Sequence, residues 1–147
     1  MRDMINNKQI THLGNLAISG VTPIASNILD VDTFDAANLD VTVNTITDAG
    51  TAAGFTAHMQ HSDTLVAVDF ENVPAVQTQN ATRTVVVVAD NVDNSIAGGC
   101  GYAGSKRYLR FNIIGTTGSD ADVSIRGTLN VPHRAPTNLI GVALTAT

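Results

Sequence analysis

Lys106-Arg107-Tyr108-Leu109-Arg110-Phe111-Asn112-Ile113-Ile114 and, beyond Gly115-Thr116-Thr117-Gly118-Ser119-Asp120, the segment Asp122-Val123-Ser124-Ile125-Arg126-Gly127-Thr128-Leu129-Asn130-Val131 decide how this chain reads. Successive side chains of an extended strand point to opposite faces. In the first segment Arg107, Leu109, Phe111 and Ile113 therefore share one face, and Lys106, Tyr108, Arg110 and Asn112 the other. In the second, Val123, Ile125, Leu129 and Val131 fall together with Gly127 in line, opposite Ser124, Arg126, Thr128 and Asn130. The interval between them has turn composition. The pattern predicts a hairpin with an apolar inner face and a polar outer one. On that reading Arg110 and Arg126 project from the same outer face, beside Tyr108.

Working outward, shorter segments of the same kind recur. In 39–47, Leu39, Val41, Val43 and Thr45 alternate with Asp40, Thr42 and Asn44. In 55–61, Phe55, Ala57 and Met59 alternate with Thr56, His58 and Gln60. Ser62 and Asp63 read as a tight connection into a strand over 64–70, with Val66, Val68 and Phe70 on one side. The valine run in 83–89 reads as a strand covered on both faces. Pro23 suits an edge strand over 22–29, and 71–81 is a polar loop. Gly98, Gly99, Gly101 and Gly104 read as a long connection, and 139–144 is a final strand or an extended tail. About eight strands at roughly ten-residue spacing, without a helix longer than two turns, predict a single-domain antiparallel β-sandwich or β-barrel. Residues 1–21 show neither period and are expected to be an irregular N-terminal arm. The β domain spans 22–131, and 132–147 form a C-terminal tail or last strand.

Composition narrows the function. The 147 residues suit one domain, and 44% hydrophobic content argues against disorder. Glu occurs once (Glu71) and Lys twice (Lys8, Lys106), so surface-helix residues are scarce. Eight basic against 13 acidic residues give a net charge of −5, without the broad basic surface that nucleic-acid binding needs. No uninterrupted apolar run approaches a membrane span, and residues 1–25 lack the apolar stretch of a signal peptide. Cys100 is alone, which excludes an internal disulfide and a cysteine-based zinc site. Synthesis in the cytosol is expected.

No motif carries catalytic chemistry. His61-Ser62-Asp63 contains triad residue types, but a triad is assembled from spatial neighbours, and three consecutive residues point in different directions; a polar turn is the simpler reading. His58 and His61 are at odd spacing, so on a strand their rings face opposite sides and do not share a metal. Asp30, Asp32, Asp90 and Asp93 lack a calcium-loop pattern, which leaves cation binding at 90–95 undecided. The glycines at 98–101 lead to no helix and no Lys-Ser/Thr ending, so no phosphate loop is present. The expectation is a non-enzyme with no cofactor and no metal. Five of the eight basic residues, Lys106, Arg107, Arg110, Arg126 and Arg134, lie within 106–134. Tyr and Arg are enriched in protein contacts, which makes Tyr108, Arg110 and Arg126, with Lys106 and Arg134, the candidate interface residues.

Three stretches, Gly101-Tyr102-Ala103-Gly104-Ser105-Lys106-Arg107-Tyr108-Leu109-Arg110-Phe111, Gly115-Thr116-Thr117-Gly118 and Val131-Pro132-His133-Arg134-Ala135-Pro136, together with Gln60-His61-Ser62-Asp63 leading into 66–70, resemble small structural proteins from the head genes of tailed bacteriophages. The resemblance spans 55–136. It implies a capsid cement (decoration) protein on the virion surface, a β-rich homotrimer whose partners are the major capsid protein shell and its own copies, with the 1–20 arm and the 132–147 tail as bridges. A tail or head–tail connector component and a carbohydrate-binding β-sandwich are the alternatives, the latter disfavoured by two Tyr and no Trp.

Overall fold

A computed structural model describes residues 8–48, 54–79, 84–87, 95–132 and 143–146. Ten strands are described: β1 (Lys8–Ser19), β2 (Ile24–Ala25), β3 (Leu29–Asp30), β4 (Phe34–Asp48), β5 (Phe55–Ser62), β6 (Glu71–Asn72), β7 (Thr84–Val87), β8 (Ser95–Tyr102), β9 (Tyr108–Gly115) and β10 (Asp120–Pro132). All their pairings are antiparallel. One sheet has the order β1-β10-β4-β8. In the other, β9 lies between β5 and the short pair β2 and β3, while β6 and β7 line the far side of β5. The expected β-sandwich is what forms. The short edge strands β2, β3 and β6, two residues each, raise the number above eight.

The sheets meet through the faces that the alternation marks as apolar. Phe55, Ala57 and Met59 of β5 and Leu109, Phe111 and Ile113 of β9 are buried against Leu39, Val41 and Val43 of β4 and Val123, Ile125 and Leu129 of β10. Each large side chain so buried contributes about 1.5–3 kcal/mol. Gly127 has a steric reason: a Cβ there would run into the Leu29 side chain, which is itself buried.

The predicted hairpin does not form. β9 and β10 belong to opposite sheets, and the interval between them carries the chain across the sandwich. Ser119 ties that crossing, accepting from the Thr116 amide at 2.8 Å and donating to the Thr116 carbonyl at 2.7 Å. Alternation shows that each strand has an apolar face; it does not say whether two such faces lie side by side or face to face. β10 pairs instead along nearly its whole length with β1 and β4.

Other expectations change for local reasons. The supposed arm is, over Lys8–Ser19, the edge strand β1. A bulge between His12 and Gly14, with Gly14 at φ +115°, flips its phase, so Thr11 and Leu13 point inward before it and Ile18 after it. A second register shift where Asp122 and Val123 oppose Thr45 and Val43 leaves Thr45 exposed and turns Ile46 inward. Residues 64–70 form bends and a single 3-10 turn (Ala67–Asp69) rather than a strand. The glycine-rich connection is strand β8; at Gly99 and Gly101 a Cβ would collide with Asp40 and Gln79 respectively. β7 is covered on one face only, Val85 buried and Val86 exposed. Val131 turns outward at φ +56°. Within the expected tail, Leu144 exchanges backbone hydrogen bonds with Ile28, and Ala143 packs on the core.

Candidate functional site

Strand β5 ends where three parts of the sequence meet. Gln60, His61 and Ser62 lie opposite Arg110, Leu109 and Tyr108 of β9, and on the other side Gln60 and His61 lie opposite Asn72 and Glu71 of β6. His61 continues the inward series Phe55, Ala57, Met59 and is 1% exposed. It is therefore not a turn residue. From the opposite sheet, Tyr102 at the end of β8 reaches it edge-on, ring centroids 5.8 Å apart, with the hydroxyl 3.1 Å from His61 Nδ1. The Lys106 backbone N–H donates to the same hydroxyl at 2.9 Å.

The charged groups of this corner pair at its rim. Lys106 Nζ lies 2.9 Å from Glu71 Oε1 and 4.0 Å from Asp63 Oδ2, and His61 Nε2 is 3.5 Å from Glu71 Oε1. The Lys106 ammonium holds the Glu71 carboxyl below its usual range, and Glu71 in turn raises Lys106. Burial, aided by Lys106, lowers the His61 pKa, against a smaller opposite pull from Glu71 and Asp63. Burial also raises the Tyr102 phenol. Glu71, His61 and Tyr102 have the residue types of a proton relay, but the hydroxyl at its end is buried beneath the loop it ties down. The line acts as a clamp between the sheets.

The candidate contact residues are not brought together. Arg110 and Tyr108 occupy the outer face of the β5–β9 sheet, whereas Arg126 is on the outer face of the other sheet, its Nη2 3.1 Å from Asp40 Oδ2. Arg110 is engaged internally. It donates to Gln60 Oε1 at 2.9 Å and to the Ala67 carbonyl at 3.1 Å, and its guanidinium stacks 4.1 Å from the Phe70 ring centroid. Arg110 thereby pins the 63–70 loop over the sheet, and its burial lowers its pKa. Arg107, expected on the inner face, instead makes a bidentate pair with Asp30 at 3.0 and 2.7 Å and lies over the Tyr108 ring. Arg134 and residues 90–94 lie outside the described residues. His58 and His61 do face opposite ways, as their odd spacing requires.

His61 and Tyr102 are not among the sequence candidates for the site, yet the sequence carries a signal. His61 has the parity of the buried series on β5, and a polar residue in a core position demands a partner. Cys100, also buried, has its thiol pushed up to about 11 by burial, with Asp40 adding to the shift, which makes it inert. A shallow depression of about 270 Å³ between 31–35 and 104–107 is walled by Asp32, Asp35, Lys106 and Arg107. Among the described residues no three metal-ligating side chains converge.

No protein-family model matches the chain. No curated protein matches it either. Among solved structures it is similar to the SPBc2 prophage-derived protein YomS, at 11% identity and TM-score 0.49, over 84% of this chain and 92% of that one. It is similar to the PBSX exported protein XepA, at 10% identity and TM-score 0.47, over 94% of this chain but 42% of that one. The Yersinia pseudotuberculosis-derived mitogen aligns at 11% identity and TM-score 0.46, over 97% and 98% of the two chains. Phage-derived proteins thus stand among its structural neighbours. At these values the likeness is one of β architecture.

Proposed function

We propose that this chain is a virion structural protein of the capsid-cement type, one that binds an assembled shell from outside and stabilises it by bridging subunits. Its partners are then the major capsid protein and other copies of itself, arranged as a trimer, with no catalytic role and no nucleic-acid or membrane contact. The observation that carries the reading is the meeting of residues 60–63 and 101–111. These two stretches of the phage-head resemblance, far apart in sequence, join in register and through the His61–Tyr102 contact into one pinned corner.

Among the described residues, that corner displays exposed apolar side chains. Val66, Val68 and Val76 on the 63–79 connection are 44%, 87% and 92% exposed. Arg110 holds the loop from below, and the Thr64 hydroxyl bonds Asp69 across it. Apolar tips on a fixed support lose little conformational entropy on docking. An ordinary interface of about 800 Å² per partner, repeated at many copies, suffices to bind a shell.

The test uses particles purified from a virus lacking this protein. Adding the purified chain is expected to raise the temperature at which they burst, at a copy number on the scale of the shell subunits rather than of a connector ring. A Val68→Asp/Val76→Asp double variant with unchanged melting is expected not to bind. Particles that gain no heat resistance from saturating wild-type protein would refute the assignment.

A further inference from the structure

The segment 71–79 is seated by Val73, which is buried and whose N–H donates to the Met59 carbonyl at 3.0 Å, and each of its ends meets one member of a buried polar pair. At its start, β6 pairs with β5 at Gln60 and His61, and Glu71 lies directly opposite His61. At its end, Thr78 forms a backbone bridge to Tyr102, and the neighbouring Ala103 amide donates to the Gln77 carbonyl at 2.9 Å. His61 and Tyr102 also touch each other across the interior, side chain to side chain. Both ends of one connection, and both sheets, therefore converge on a single hydrogen bond between a buried imidazole and a buried phenol.

The direction of that hydrogen bond depends on one proton. With His61 neutral, the Tyr102 O–H donates to Nδ1 and the Lys106 N–H donates to the phenol oxygen. Nε2 carries the imidazole hydrogen and has no well-formed hydrogen bond, Glu71 Oε1 being 3.5 Å away. If His61 takes up a proton, Nδ1 becomes a donor. The Tyr102 hydroxyl must then accept from it and turn its own hydrogen toward the Lys106 carbonyl, 3.4 Å away. The new imidazolium is shut off from water and shares Glu71 with the Lys106 ammonium.

We propose that the His61–Tyr102 pair, with Glu71 and Lys106, is a proton-operated latch: closed while His61 is neutral, it opens on protonation and frees segment 71–79 and the 102–106 turn. The groups facing His61 are Lys106, which opposes its protonation, Glu71 and Asp63, which favour it, and the Tyr102 hydroxyl. Burial outweighs the two carboxylates, so the folded pKa lies below the ordinary 6.5. The sign follows. Above 6.5 the closed and open forms hold the same protons and the latch is at full strength. As pH falls below 6.5, the open form takes up a proton that the closed form refuses, and closure weakens until the folded pKa is passed. The Arg110 contacts to Gln60, Ala67 and Phe70 do not titrate in this range, so 63–70 stays seated while 71–79 loosens. The latch does not depend on what the exposed valines bind.

Hydrogen exchange of the full chain at pH 7.5 and pH 5.0, corrected for intrinsic rates, tests this. Protection of 71–79 and 102–106 is expected to fall on the order of tenfold, while β4 and β10 stay unchanged. In His61→Asn, whose amide oxygen takes the place of Nδ1 as acceptor without titrating, the fall is expected to vanish. Unchanged protection in the wild type, or an equal fall in His61→Asn, overturns the latch. Should that variant fail to fold, the wild-type His61 ring followed by NMR decides: a midpoint below 6.5 supports the proposal and one at or above it overturns it.

Discussion

The middle of the sandwich and the corner around residues 61 and 102 occupy the same interior layer with opposite chemistry. In the middle, Phe55, Phe111, Val41 and Ile125 belong to one fully buried cluster of apolar side chains, which need no hydrogen-bond partner. At the corner, His61 and Tyr102 fill equivalent inward positions and are tied through each other, to Lys106 and to Glu71. The difference teaches a division of labour. Apolar contacts set how strongly the sheets adhere, because burial is non-directional and scales with area. Polar contacts set where particular loops end, because an unmatched buried donor or acceptor is costly and its geometry narrow.

That contrast is open to attack at three points of decreasing effect. Phe111→Ala removes a fully buried ring from the middle and is expected to destabilise the fold by about 3–5 kcal/mol, read as a lower denaturation midpoint. A loss much under this would mean that the middle is not the adhesive layer. Tyr102→Phe keeps the ring but strands His61 Nδ1 and the Lys106 N–H. Its expected cost is about 1–3 kcal/mol, with weakened hydrogen-exchange protection at 102–106 and none lost in β10; a neutral outcome would dissolve the distinction between middle and corner. Arg126→Ala, on the half-exposed outer face beside Asp40, is expected to shift stability by no more than about 1 kcal/mol. A larger loss in thermal unfolding would place an unsuspected tie outside both regions.

The strands that were legible are those with unbroken alternation. β9 throughout and β5 from Phe55 to His61 keep one phase, and over those stretches the buried positions are the ones that alternation marks; Ser62, buried at the end of β5, departs from it. β1 was illegible for a specific reason: the bulge at His12 and Gly14 puts half of its inward residues out of phase with the other half, so neither period survives in the text. β8 was hidden by its glycines, whose cause is the side chains of Asp40 and Gln79 lying across the strand. The Val66–Val68 alternation suggested a strand where Arg110, 43 residues away from Ala67, holds a loop instead. Of the candidate contact residues, Tyr108 and Arg110 were correctly placed on one outward face. Arg126 would share that face only if β9 and β10 paired as a hairpin, and they lie in different sheets.

The amino-acid sequence by itself determined that the chain is built of strands, and which side of most of them is apolar, since side-chain alternation is a property of each extended segment taken alone. Only the tertiary structure decided that β9 and β10 face each other instead of pairing, that the first strand closes a sheet, and that His61 meets Tyr102. Those outcomes depend on which surfaces cover one another, and coverage is settled between segments rather than within them.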